Sequence, residues 1–183
     1  MTDDLAKYDN GFGVISRLLH WTMAIGVIFM LALGNRIADM KPDLSTLYLY
    51  GLHKTLGITI LAMAVLRLIW HRYSPPPRPI GPPSAWGTWL ARAAHAVIYL
   101  LLITIPMSGW FASSATGIDV MIFDRWTLPA IAPVSELWEK RGFIVHGILT
   151  KALFGLIFIH MLAALKREID GDGTLTRMIS GKR

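Results

Sequence analysis

"HGILTKALFGLIFIH", residues 146–160, is apolar almost throughout, yet it opens and closes on histidine and carries Lys151 inside. Ionisable side chains are costly in hydrocarbon, so a stretch that keeps three of them must use them or hide them. At about 100° per residue, fourteen residues turn through roughly 1400°, which brings His160 back to within ~40° of the His146 face, with a rise of ~21 Å between them. One helix therefore presents two imidazoles on one side, near opposite edges of an apolar layer ~30 Å thick. Lys151 falls ~140° around the helix from His146 and points away from that face.

The rest of the chain has the same character. Of its 183 residues, 54% are hydrophobic and 16% charged, and the mean hydropathy is +0.48. Four stretches, 16–34, 52–70, 89–112 and 143–165, are long and apolar enough for the ~20 residues that a bilayer crossing takes. The expected fold is an all-α membrane protein, a four-transmembrane-helix bundle at 14–169 between polar tails at 1–13 and 170–183. The first span is not read as a signal peptide. Its apolar region exceeds the ~7–15 residues usual there, and Arg17 and His20 stand at its entrance, although "ALGNRIA" could serve as a cleavage site.

The formal charge is +6. With four spans, the N-terminus, the middle loop and the C-terminus share one side. That side holds ten of the eighteen basic residues: Lys7, Arg17, Arg72, Arg78, Arg92, Lys166, Arg167, Arg177, Lys182 and Arg183. The other side holds five, Arg36, Lys41, Arg125, Lys140 and Arg141, and Lys54, Arg67 and Lys151 lie within the spans. The bias places both termini in the cytoplasm of a multi-pass inner-membrane protein. The expected surroundings are lipid, and the positive charge is a topology signal, not a nucleic-acid footprint.

No cysteine is present, which excludes disulfides, thiolate-held iron–sulfur clusters and haem attached through C-x-x-C-H. A metal would have to be held by histidine, carboxylate or methionine, and none of the four spans contains a carboxylate. The connector "HRYSPPPRPIGPPSAW" reads as a stiff extended segment because of its six prolines. The longest connection, from Ala112 to Arg141, carries Trp126 and Trp138, suited to a membrane interface. In "IPMSGW", Pro106 is expected to kink the third span, and Gly109 to allow close packing.

Span direction sorts the histidines by depth. His20 lies at the cytoplasmic end of span one, and His53 at the outer end of span two. His146 is outer and His160 inner on span four. Two levels result, His53 with His146 and His20 with His160, as two six-coordinate b-type haems stacked across the membrane would need. Interhelical hydrogen bonding, a proton relay or a metal path remain open on this geometry alone. His71 reads as an interfacial side chain.

The motifs "SRLLHW" (16–21), "LHKTLGI" (52–58), "RLIWHRYSPPPRP" (67–79), "HAVIYLLLITIPMSGW" (95–110) and "HGILTKALFGLIFIHMLAALKREI" (146–169) together resemble the prokaryotic cytochrome b561 family over about residues 14–179. The resemblance implies a dihaem membrane cytochrome exchanging electrons with quinone. His20 and His160 would then ligate the inner haem iron, and His53 and His146 the outer. Some bacterial members of that family are superoxide oxidases that pass the electron to ubiquinone.

On that expectation, Lys54, Lys140 and Arg141 are candidates for a positive approach path for superoxide. His95, Arg92 and Arg17 are candidates for binding quinone or a haem propionate. Arg67 either pairs with a propionate or snorkels inward. The competing function is a cytochrome anchor that passes electrons between a dehydrogenase or hydrogenase partner and quinone. A haem-free transporter or channel is the third reading.

Overall fold

A computed structural model describes residues 11–41, 43–77 and 85–181. Lys7, Arg78, Lys182, Arg183, residues 1–10 of the N-terminal tail and 78–84 of the proline-rich connector lie outside the described residues. Among the described residues, four helices are long and apolar enough to cross a membrane. They are α1 (Val14–Ala38), α2 (Leu47–Tyr73), α3 (Ala85–Ala115) and α4 (Glu136–Ile169). A turn of 3₁₀ helix, Leu44–Thr46, leads into α2, two short strands β1 (Val120–Ile122) and β2 (Trp126–Leu128) pair antiparallel, and a short helix α5 (Thr174–Ser180) follows α4.

Each spanning helix extends beyond the apolar stretch that marks it, because capping residues and polar turns continue it into the interface. At α4, Ser135 caps the first turn by accepting from the Trp138 amide, Glu136 and Glu139 lie in that turn, and Lys166 and Arg167 lie in the last. This charge order suits the helix dipole. The 34 residues of α4 make it about 51 Å long, well over the ~30 Å hydrocarbon layer. At the entry to α2, Asp43 accepts from the Ser45 amide at 2.8 Å and forms a reciprocal box with Thr46.

Packing runs in series, α1 on α2, α2 on α3 and α3 on α4. The α3–α4 seam is tightest at Gly142, where an added Cβ would come 2.8 Å from Ala112 Cβ. The apolar core gathers at mid-height from all four helices: Met23 and Val27, Ile60 and Ala64, Leu101, Leu102 and Ile105, and Leu153. Large apolar side chains on the outward faces, Ile25, Phe29, Leu66, Leu100, Phe154 and Ile159 among them, are exposed. That is the expected dressing of a bundle solvated by lipid.

The connection from α3 to α4 folds into a hairpin that the sequence did not announce. Its turn runs through Phe123 and Asp124, both at φ 51°, and closes with the Arg125 amide donating to Ile122 O at 3.1 Å. The Phe123 amide donates to Thr55 Oγ1 at 3.1 Å, which pins the hairpin on the N-terminal part of α2. Trp110 donates from Nε1 to Pro129 O at 3.0 Å and ties down the other side.

The C-terminal segment, expected as a polar tail, forms the short helix α5. Glu168 caps α5, accepting from the Leu175 and Thr176 amides, and Arg167 bonds Asp172. α5 docks under α1, where Arg17 donates to Ile179 O at 2.7 Å and Trp21 to Met178 O at 3.0 Å.

Candidate haem sites

At the outer end, as oriented by the charge bias, His53 and His146 face each other with ring centres 6.2 Å apart and planes at 78°. Two imidazoles on opposite sides of one metal, at ~2 Å per nitrogen, place their ring centres about 6 Å apart. Both rings are pressed against glycine. A Cβ on Gly34 of α1 would come 3.1 Å from His53 Cε1, and one on Gly109 of α3 would come 3.0 Å from His146 Cε1. His146 donates from Nδ1 to Ile105 O at 3.0 Å, with Ser108 Oγ 3.1 Å away. A carbonyl can only accept, so the proton sits on Nδ1 and the Nε2 lone pair is available. His53 Nδ1 is buried with no partner among the described residues.

At the opposite end, His20 lies within electrostatic reach of Arg67, His160, His95 and His71. Arg67 donates to His20 Nδ1 at 3.1 Å and to His71 Nε2 at 3.3 Å, and its guanidinium lies 5.8 Å from the Tyr99 ring centre. The His95 and His160 rings meet edge to face at 5.2 Å. His95 is exposed and donates from Nδ1 to Ala91 O at 2.6 Å, and its Nε2 has no hydrogen-bond partner among the described residues.

One step relates the two ends. His146 and His160 are fourteen residues apart, and so are His20 and Gly34, His53 and Arg67, and His95 and Gly109. The step is the same ~40° return to one face that His146 and His160 show. Each helix contributes one residue to an outer layer (Gly34, His53, Gly109, His146) and one to an inner layer (His20, Arg67, His95, His160). The core of Met23, Ile60, Leu101 and Leu153 lies between.

These residues fit a haem. The outer layer pairs two imidazoles across two bare backbones, His53 has a buried nitrogen without a partner, and Gly147 and Gly155 on α4 have no atom within 4 Å of an added Cβ. A Cβ on Gly57 would sit 3.7 Å from Met30 Cε, in ordinary contact. The inner layer brings His20 and His160 together but adds His95 beside His160. Gly34 and Ser108 were not among the residues singled out from sequence. The fourteen-residue offset from His20 would have found Gly34, whereas a serine in an apolar helix carries no comparable signal.

The other candidates scatter around the two ends. Lys54 is half-buried beside ligand candidate His53, with Asp119 as the carboxylate that acts on it. Lys140 and Arg141 are exposed in the first turns of α4, Arg141 lying 5.8 Å from the Trp138 ring centre. Arg92 is exposed on α3, Arg17 is engaged by Ile179, and Lys151 is exposed on α4 away from both histidines.

The chain matches the prokaryotic cytochrome b561 family over residues 11–181. It is 34% identical over 176 residues to cytochrome b561 homolog 2 of Escherichia coli (strain K12), covering 92% of this chain and 90% of that relative. To cytochrome b561 homolog 1 of the same organism it is 28% identical, over 95% and 99% of the two chains. To a protein of Yersinia pestis called probable superoxide oxidase CybB it is 27% identical, over 90% and 93%.

Proposed function

The chain belongs to the prokaryotic cytochrome b561 family of membrane electron-transfer proteins, and from that premise we propose that it is a superoxide:ubiquinone oxidoreductase carrying two haems b. Haem b held between two imidazoles supplies one-electron transfer and leaves no open position for oxygen. The reading gives His53 and His146 to the outer haem and His20 and His160 to the inner. The observation that carries it is the facing pair His53–His146 at 6.2 Å, with a second imidazole cluster one fourteen-residue step away. The superoxide donor is supported by the name of the Yersinia pestis relative.

The balance is simple. Two superoxide anions each give up one electron and leave as O₂, and one ubiquinone takes both electrons and two protons to become ubiquinol. The outer mouth needs no proton machinery, only a positive approach for an anion, which Lys54, Lys140 and Arg141 supply. Both termini then face the cytoplasm and the hairpin faces the periplasm. At the inner mouth a quinone needs donors for two carbonyl oxygens. His95, exposed and with no hydrogen-bond partner for Nε2 among the described residues, is the best placed to hold a proton there, and exposed Arg92 lies one turn before it. Arg17 is committed to the Ile179 carbonyl and serves the α1–α5 contact.

Stopped-flow mixing of the purified haem-loaded protein with superoxide, followed at the b-type α-band, tests the reading. Haem reduction faster than spontaneous dismutation, followed by reoxidation on adding ubiquinone, is the expected result. Reduction no faster than dismutation rejects superoxide as donor and favours the membrane-anchor reading. Absence of a reduced b-type band rejects both.

A further inference from the structure

The turn Ile105–Gly109 of α3, with Pro106 inside the helix, packs against His146. We propose that it is a positioning device for His146, and that Ser108 within it sets how strongly that imidazole donates to the outer haem. The inference rests on the reading of His146 as a haem ligand.

Three groups of the turn meet one ring. The Ile105 carbonyl accepts the Nδ1 proton at 3.0 Å. The Ser108 hydroxyl donates to that same carbonyl at 2.7 Å, and its oxygen lies 3.1 Å from Nδ1. Gly109 offers bare backbone, and a Cβ there would stand 3.0 Å from Cε1 and 3.2 Å from Nδ1. Pro106 fixes the backbone torsion of the residue next to the accepting carbonyl. Together these contacts fix the tautomer, the tilt and the depth of His146. His53, opposite, also lies against a glycine, Gly34, but no acceptor holds it: its Nδ1 is buried without a hydrogen-bond partner among the described residues. The two imidazoles of one pair are therefore held unequally.

The electronic consequence follows from sharing. A hydrogen bond from the far nitrogen raises the basicity of a ligating imidazole, more so the stronger the acceptor. Here one helix carbonyl oxygen accepts from two side chains, and the hydroxyl lies closer than the imidazole. The hydroxyl thus draws electron density from the oxygen and weakens its pull on the His146 proton. Its own oxygen is the more distant and the weaker of the two acceptors. Removing Ser108 concentrates the carbonyl on Nδ1–H, makes the imidazole a stronger donor, and stabilises oxidised over reduced iron.

The test is a redox titration of the purified, haem-loaded full chain, comparing wild type with Ser108→Ala, Ser108→Cys and Ser108→Thr. Ser108→Ala should lower the midpoint of one haem by about threefold to tenfold in its one-electron constant, ~30 to 59 mV, and leave the other haem in place. Ser108→Thr keeps the hydroxyl and should retain the wild-type value. Ser108→Cys, a weak donor, should fall between and stands in if the alanine variant does not accumulate. No shift, an upward shift, or an equal shift of both haems overturns the inference. His146→Ala separates it from the reading beneath. Retention of both haems in that variant removes the ligand assignment itself. Loss of one haem there, with unmoved midpoints in Ser108→Ala, removes only the role of Ser108.

Discussion

The guanidinium of Arg67 spans α1 and α2, donating to Nδ1 of His20 at 3.1 Å and to Nε2 of His71 at 3.3 Å. Arginine stays charged and has no acceptor, so a neutral His20 in this arrangement carries its own hydrogen on Nε2. Offering Nε2 to iron requires Arg67 to turn off the ring, and a haem propionate is the partner its planar fork suits.

Arg67→Gln keeps a hydrogen-bonding side chain and removes a positive charge from the inner layer. The midpoint of the inner haem should fall by about 1–2 kcal/mol, the Coulomb term over roughly 8–15 Å at an effective dielectric near 20. The outer haem, one fourteen-residue step or ~21 Å further away, should shift by less. Equal midpoints in variant and wild type, by redox titration, would place Arg67 away from that haem.

The glycines separate rigid neighbours from yielding ones. At Gly142 an added methyl meets Ala112 Cβ at 2.8 Å and Cα at 3.0 Å. Gly142→Ala should therefore cost about 1–3 kcal/mol of overpacking. Gly147→Ala meets nothing within 4 Å and should gain up to ~1 kcal/mol of helix propensity. Gly34→Ala and Gly109→Ala meet imidazoles, which can rotate, so their signature is weaker retention of one haem of the two. Thermal unfolding of the haem-free chain in detergent, paired with haem-to-protein ratios, distinguishes the three classes.

At the outer mouth Lys54 and Asp119 act on each other. If the chain oxidises superoxide as proposed, Lys54→Ala and Lys140→Ala should each slow that second-order reaction about two- to fivefold, and Asp119→Asn should speed it. Because the effect is steering of exposed charge, the differences should shrink as ionic strength rises past ~0.15 M. Rates that ignore both charge and salt would show that the anion approaches elsewhere.

The α5 clamp should weaken in acid. Burial alone would raise the Asp172 carboxyl. The bonds from Thr174 and Arg167, with the Arg167 charge, outweigh it and hold the group below its ordinary value. A depressed carboxyl stabilises the clamp fully above the unfolded pKa, and that contribution disappears as pH falls through the folded value. Amide protection over 174–180, corrected for the intrinsic exchange rate, should fall in that window, and Asp172→Asn should lower it at neutral pH and leave only the weaker acid dependence that Glu168 carries.

The four spans were legible because hydropathy over some twenty residues is a property of the window, not of any one contact. The His146–His160 spacing was legible for the same reason, as a repeat on one helix. The same step was present in His53–Arg67, His20–Gly34 and His95–Gly109. It went unread because an arginine or a glycine does not look like the counterpart of a histidine until the layers are assembled. The hairpin was hidden because Phe123 and Asp124 take φ 51° without a glycine to mark the turn. Ser108 could not be found from sequence, since its role depends on a carbonyl and a ring brought together from α3 and α4. The α5 helix, seven residues long, is too short for periodicity and depends on Glu168 and Arg17 for its place.

The distance between the two layers also has an electrical meaning. On the proposed route each electron travels inward over the ~21 Å that separates His146 from His160, roughly two-thirds of a ~30 Å hydrocarbon layer. Moving one charge across the whole membrane costs about 2.3 kcal/mol per 100 mV. An interior-negative cell therefore opposes each transfer by roughly 1.5 kcal/mol per 100 mV. Turnover would build membrane voltage, and an energised membrane would slow it.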